Sequence, residues 1–296
     1  MSVKTIKTEN DIRKRKLGLG MSRALFIELY GRDTSIWRPE PEMDITTFDK
    51  IEGITVKSSL FTTVVKVTDP ETGDIFYFKE FHDRGPMDKL RAFFRDTRSR
   101  RAFHAGISLI KKGFLTPSPL LHGIEKHFCF PHRNFLITRA IEGERTYQYF
   151  TEKFPVPASA KTVAGKRLLI RAAGHEIGRL HHEGISHGDL RVGNILIHGE
   201  GNSAKFYFID NERTRSYKII PMRKRLKNLV QLNMILLPQI TRTDRLRFLE
   251  AYLKENPELI PDRKKMIRRI ALITKKRHHC RSAENYNVTS KPNIPC

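Results

Sequence analysis

The sequence predicts an α+β chain in two parts, a small β-rich N-terminal lobe and a larger, mainly helical C-terminal lobe. Three observations predict it. Strand-like runs separated by a strong turn fill residues 54–81. The chain changes character after the turn-rich FPVPASAKT (154–162). From residue 221 onward, apolar residues recur at helical spacing. A length of 296 residues suits two domains or one bilobal unit.

Residues 1–45 are polar and charged, with GRDTSIWRPEPEMD reading as turn and linker, so an N-terminal arm is expected, anchored by the lone Trp37. The N-lobe is expected over 46–141. Within it ITVKSS (54–59) reads as a strand and polar loop, TTVVKVT (62–68) as a second strand, DPETGD (69–74) as a turn and IFYFKEF (75–81) as a third strand, together an antiparallel meander. The basic stretch 87–113 spaces Leu90, Phe93, Phe94, Ile107, Leu109 and Ile110 as a helix does, and Gly113 is its stop. TPSP (116–119) breaks the chain. LLHGIEKHF (120–128) and NFLITRAI (134–141) read as strands joined by CFPHR.

The C-lobe is expected over 142–277. KRLLIRAAGHEIGRLHHEG (166–184) places Leu169, Ala173, Ile177 and Leu180 on one helical face and ends at Gly184. NILIH (194–198) and KFYFID (205–210) are short strands around the turn GEGNS. Helices are expected over NLVQLNMILL (228–237), DRLRFLEAYLKEN (244–256) and DRKKMIRRIALITKKR (262–277), with a flexible tail over 278–296.

Composition narrows the class. The 39% apolar content is enough for a core. The longest apolar stretch, 229–240, is too short and too polar to span a bilayer. The N-terminus shows no secretory pattern, and three cysteines make no disulfide framework, so a reducing cytosol is expected. Lys and Arg number 55 against 32 Asp and Glu, a net charge of +23, which points to an anionic partner or a heavily solvated basic surface. No RNP-type motif or zinc-finger spacing accompanies the charge, so specific nucleic-acid binding is not expected. The cluster HHCR (278–281) lacks a second set of ligands, and His181 and His182 read as helix-end histidines.

The segment that bears chemistry is ISHGDLRVGNILI (185–197), between a helix and a strand. It has the pattern H-x-D-L-x-x-x-N, with His187, Asp189, Leu190 and Asn194, the spacing of the protein-kinase catalytic loop. A carboxylate there orients an acceptor hydroxyl and takes its proton, and an amide oxygen five residues on can hold a metal ion. Asp210, sixteen residues beyond Asn194, ends an apolar strand, and Lys79 sits in a strand of the β-rich lobe.

On these residues the chain resembles the protein-kinase-like superfamily and, within it, the lipopolysaccharide-core kinases of the Kdo/WaaP family, over about residues 50–255. Gly188 stands where protein kinases usually carry Arg. FYFIDNERTR (206–215) is similar to the I-D-x-x-R segment of the lipopolysaccharide kinases, and RLKNLVQL (225–232) and TRTDRLRFLEAYL (241–253) resemble their C-terminal helices. The resemblance implies a bilobal protein-kinase-like fold and an ATP- and Mg²⁺-dependent kinase acting on a heptose or Kdo hydroxyl. It implies Asp189 as catalytic carboxylate and Arg191 as stabiliser of the transferred phosphoryl group. Asn194 and Asp210 would be Mg²⁺ ligands, and Lys79 would lie on the nucleotide's α- and β-phosphates. His187 would brace the loop. The partner would be the lipopolysaccharide core or another anionic glycolipid, with peripheral contact to the cytoplasmic face of the inner membrane, and the basic helix 262–277 is the candidate for that contact.

Two departures stand out. The nucleotide-covering turn KSSLFTTV (57–64) has no Gly, leaving Ser58 and Ser59 as phosphate donors. No Glu lies on the helix after Lys79, leaving Asp96 as the candidate partner among Asp83, Asp88 and Asp96. These departures keep a nucleotide-binding pseudokinase, or a kinase of another small molecule or of protein, as alternatives. Cationic acceptors fit a strongly basic chain poorly.

Overall fold

The computed structural model of the chain describes residues 53–68, 73–82, 96–127 and 130–289, with the side chains of 124–133 and 281–289 excepted. The N-terminal arm with Trp37, the start of the expected basic helix (87–95), Asp83, Asp88, Cys129 and Cys296 lie outside these residues. Two compact units are present. One ends at Glu142 and takes in Phe208–Arg213, and the other holds Gly143–Tyr207 and the chain from Thr214 onward.

In the first unit β1 (Ile54–Ser59), β2 (Thr62–Thr68) and β3 (Ile75–Phe81) form the expected antiparallel meander. Side chains alternate along a strand, so Phe76 and Phe78 share one face of β3 while Lys79 and Phe81 share the other. Helix α1 (Arg98–Lys111) covers the second face, where Phe81, Ala102, Phe103 and Leu136 cluster. The described helix starts at Arg98, later than the helical spacing suggested. Thr97 caps it by accepting a hydrogen bond from the Arg100 amide. It stops at the expected place, with the Gly113 amide turning back to the Ile110 carbonyl.

Strands β4 (Pro119–His127) and β5 (Phe130–Arg139) complete a sheet of order β1-β2-β3-β5-β4. Most of CFPHR, read from the sequence as a joining loop, belongs to β5. Pairing continues through Pro131 opposite Lys126, past a shift of register at Glu125, and an edge hairpin tolerates a proline at such a shift. His122 is fully buried, its ring 5.1 Å from that of Phe103. Burial, with His104 and Arg100 nearby, pushes its pKa down to about 3.

The second unit opens with β6 (Glu144–Arg145) and α2 (Thr146–Lys153), a two-turn helix too short to show a period in the sequence. Its Tyr149 and Phe150 are buried with Phe154. Helix α3 (Ala160–His182) begins six residues before the expected start, because Ser159 caps the Thr162 amide. Short strands β7 (Ile185–Ser186), β8 (Ile195–His198), β9 (Lys205–Phe208) and β10 (Arg215–Ser216) follow. β10 pairs with β7, and β6, β8 and β9 form a second small sheet.

Three helices close the unit: α4 (Met222–Asn233), α5 (Arg242–Lys254) and α6 (Arg263–Thr289). Helix α4 starts earlier than its apolar run because Pro221, which cannot continue a helix backwards, sits at its N-cap. Helix α6 continues beyond Arg277, so residues 278–289, expected in the flexible tail, are helical. A capping box between Thr241 and Asp244 starts α5, and Lys166 and Arg247 hold the same buried carboxylate at 2.7 and 2.6 Å. Helices α3 and α5 approach closely at Gly174, where a Cβ would stand 2.5 Å from the Phe248 carbonyl oxygen. The α+β division, a β-rich first unit and a helical second one, is the one the sequence predicted.

Candidate active site

Residues 187–194 form a tight loop between β7 and β8 in the second unit. Gly188 has φ +76°, a left-handed conformation open to Gly at little cost, and its carbonyl accepts from Lys227 Nζ at 2.7 Å. His187 is fully buried, and its carbonyl accepts from Thr214 Oγ1 at 3.3 Å. The Asp189 carboxylate is held from two directions: its Oδ1 accepts from Gln231 Nε2 at 3.0 Å and from Arg191 Nε at 2.9 Å. Asn194 donates Nδ2 to the Asp189 carbonyl at 2.9 Å, which leaves its Oδ1 as the acceptor end. The Asn194 amide closes on the Arg191 carbonyl at 2.9 Å. The Arg191 side chain is 59% exposed and that of Asp189 is 18% exposed, so the carboxylate is partly sheltered yet reachable.

A buried polar line backs this loop. Gln231 Oε1 accepts from the Leu190 amide and from Asn228 Nδ2, each at 3.1 Å. Asn228 Oδ1 in turn lies 3.1 Å from His181 Nε2 and accepts from Ser186 Oγ at 3.2 Å. An amide oxygen only accepts, so His181 Nε2 bears the proton and Nδ1 accepts from Tyr252 Oη at 3.0 Å. Burial pushes the His181 pKa down to about 4, with Arg225 adding to the effect and the Asn228 hydrogen bond opposing it. The imidazole is therefore neutral and satisfied, not a metal ligand.

In the first unit, Lys79 Nζ on β3 meets Asp210 Oδ1 at 2.6 Å across 131 residues of sequence. Asp210 has φ +64°, a conformation that costs a non-glycine residue about 1 kcal/mol or more and is concentrated at functional sites. The following residues hold it there. Asn211 is buried and donates to Thr116 Oγ1 at 2.8 Å, and Thr116 Oγ1 donates to the Phe208 carbonyl at 2.7 Å. Glu212, also buried, accepts from Arg98 Nε at 2.9 Å. Asp96 is not the partner of Lys79: it is more than half exposed and reaches Arg100 at 3.5 Å. Ser58 and Ser59 lie on exposed β1, where Ser59 Oγ donates to the Thr62 carbonyl at 3.1 Å and accepts from the Phe61 amide at 3.4 Å.

The structure thus brings Lys79 together with Asp210 in one unit, and Asp189 with Arg191 and Asn194 in the other. The sequence reading missed Gln231, Asn228, Lys227, Asn211, Arg98 and Glu212. One signal was available for two of these. Asn228 and Gln231 are polar residues three apart on the apolar stripe of a helix, and polar groups in such positions are hydrogen-bonded to something.

The family model described as "Lipopolysaccharide kinase (Kdo/WaaP) family" matches residues 60–252. The lipopolysaccharide core heptose(I) kinase WaaP of Pseudomonas aeruginosa is 24% identical over 164 residues, 53% of this chain and 59% of that protein. The KEOPS complex subunit Bud32 of Pyrococcus abyssi is 39% identical over 75 residues, 25% of this chain and 29% of that one. The chain therefore spans less than two thirds of the length of either curated relative. A solved structure of WaaP in complex with acyl carrier protein is similar in fold, with TM-score 0.57 and 19% identity over 78% of this chain and 91% of its own.

Proposed function

Because this chain belongs to the lipopolysaccharide kinase (Kdo/WaaP) family, we propose that it transfers the γ-phosphate of ATP to a heptose or Kdo hydroxyl of the lipopolysaccharide inner core. The observation that carries this is the 2.6 Å pair between Lys79 and Asp210, a strand lysine and a strand-end carboxylate far apart in sequence, in the positions kinases use for phosphates and metal.

In this reading Asp189, oriented by Gln231, accepts the proton of the attacking sugar hydroxyl. The sugar oxygen bonds to the γ-phosphorus as the bond to the bridging oxygen of ADP breaks, and the proton on Asp189 leaves to solvent. Arg191, mostly exposed, offsets charge on the transferred group. Lys79 lies along the α- and β-phosphates. Mg²⁺ takes oxygen ligands and binds through one or two carboxylates plus substrate phosphates, so the Asp210 carboxylate in the first unit and the Asn194 amide oxygen in the second are each of a type that would hold it. When bound, it neutralises phosphate charge.

The acceptor is a membrane-anchored anionic glycolipid, which supports a peripheral place on the cytoplasmic face of the inner membrane. No helix among the described residues is long and apolar enough to cross a membrane. Lys264, Arg268, Arg269, Lys275 and Lys276 are exposed on α6 around the exposed Leu272, a face suited to anionic lipid headgroups. The second unit also holds a cavity of about 630 Å³ lined by Leu169, Ile177, Phe206, Leu229, Phe248 and Ile267 among others. Its size and apolar walls suit a fatty acyl chain, and this supports an acyl carrier protein as a further partner, the partner seen with WaaP.

The test is transfer of labelled γ-phosphate from Mg·ATP to core-dephosphorylated lipopolysaccharide. Label in the glycolipid with wild type, falling by about 10²–10⁴ in Asp189→Asn while Mg·ATP binding persists, is the expected result. Retained turnover in Asp189→Asn sinks the role of Asp189. Mg·ATP binding without any label on the glycolipid favours another acceptor or a pseudokinase.

A further inference from the structure

Kinase chemistry requires that the helix following the lysine strand be locked to the machinery, and the lock in protein kinases is a Lys–Glu ion pair. Here the described helix α1 contains no Asp or Glu over residues 98–111. On the face it turns to β3 it presents Ala102 and Phe103, packed with Phe81 and Leu136. It therefore gives Lys79 no carboxylate from those residues.

The helix instead brings a cation. Arg98, its first residue, makes contacts in three directions within the first unit. Its Nε donates to Glu212 Oε2 at 2.9 Å. Its Nη1 donates to the Phe61 carbonyl at 3.0 Å, and its Nη2 lies 3.4 Å from Thr62 Oγ1. Phe61 belongs to the β1–β2 turn, which corresponds to the nucleotide-covering loop, and Thr62 opens β2 directly after it. The guanidinium also lies 4.8 Å from the centre of the Phe81 ring, which Lys79 Nζ approaches at 4.9 Å. Glu212 follows Asp210 by two residues, and Arg213 stands 3.8 Å from its other oxygen. The Arg98 and Glu212 side chains are only 16% and 8% exposed, so their attraction is weakly screened by solvent. A planar guanidinium fork suits this task, because it can bond in several directions at once while remaining charged.

We propose that Arg98 and Glu212 are a polarity-reversed replacement for the helix lock of kinases: the helix supplies the cation and the metal-binding segment supplies the carboxylate. They are positioning residues. By fixing Glu212, Arg98 holds the left-handed turn at Asp210, and by holding Phe61 it couples that turn to the loop over the nucleotide. The inference rests on the kinase reading and deepens it, naming how the Asp210 segment is kept ready for Mg·ATP where the described helix α1 has no Asp or Glu.

The experiment is titration of a fluorescent ATP analogue, with and without Mg²⁺, on wild type, Arg98→Lys, Arg98→Ala, Glu212→Gln and the swap Arg98→Glu/Glu212→Arg. Thermal melts identify variants that fold. A role confined to folding leaves the Mg²⁺ enhancement of affinity unchanged in every folded variant. The proposal expects that enhancement to fall about ten- to hundredfold in Arg98→Ala and Glu212→Gln, the range for a lost charge-assisted hydrogen bond. It expects a smaller fall in Arg98→Lys and recovery in the swap. Wild type that binds Mg·ATP, with enhancement unchanged in Arg98→Lys and Glu212→Gln, overturns the inference and leaves the kinase reading intact. Wild type that binds no Mg·ATP overturns both.

Discussion

Lowering the pH from 7.5 to 4.5 puts a proton on His181 in the unfolded chain but not in the folded one. The ring is fully buried between Tyr252 and Asn228, and burial holds its pKa at about 4. An unfolded histidine titrates near 6.5. Between these values the unfolded state binds more protons, so the contribution of the neutral ring is complete above about pH 6.5 and is lost as pH falls towards 4. The shift amounts to about 3 kcal/mol, a large share of the ~5–15 kcal/mol stability of an ordinary domain. His122 in the first unit acts in the same direction, so wild type alone does not isolate the effect. His181→Gln does, since an amide keeps hydrogen-bonding capacity and does not titrate. Denaturant unfolding at half-unit pH steps is the assay. The variant is expected to be less stable at pH 7.5 by about 1–2 kcal/mol for imperfectly replaced hydrogen bonds, and to lose about 3 kcal/mol less than wild type on acidification, so that the two curves converge or cross. Parallel curves across pH 6.5 to 4.5 would refute the assignment of a buried neutral imidazole behind the catalytic loop.

Two further outcomes concern the partners. Replacing Lys264, Arg268 and Lys275 of α6 by Glu is expected to weaken binding to vesicles containing phosphatidylglycerol by a hundredfold or more, at about 1 kcal/mol per cation. Equal binding by the variant would move the membrane contact elsewhere. Ala173→Phe, which fills part of the apolar cavity, is expected to lower the affinity for a fluorescent fatty acyl probe at least tenfold without altering Mg·ATP binding. An unchanged affinity would place the acyl chain outside that cavity.

Local chemistry explains which features the sequence revealed. The meander was legible because β-branched and aromatic runs flank a turn. The catalytic loop was legible because its geometry is closed over five residues: Asn194 bonds the carbonyl of Asp189, so the spacing is itself the structure. Helix starts were harder, since Thr97, Ser159 and Pro221 each decide a boundary with a single cap that an apolar period does not register. The length of α6 was missed for the related reason that residues 278–289 show no period of their own.

The α+β class, the H-x-D-L-x-x-x-N loop and the excess of positive charge are all readable from the amino-acid order, because each depends on composition or on residues within a few turns of one another. What holds the chemistry in place comes instead from contacts between distant segments. Gln231 reaches Asp189 from 42 residues away, and Arg98 reaches Glu212 from 114. A lone Gln, Arg or Glu has no pattern to read. Its partner is set by how sheet, helix and turn come together, and burial then makes each of those single contacts count.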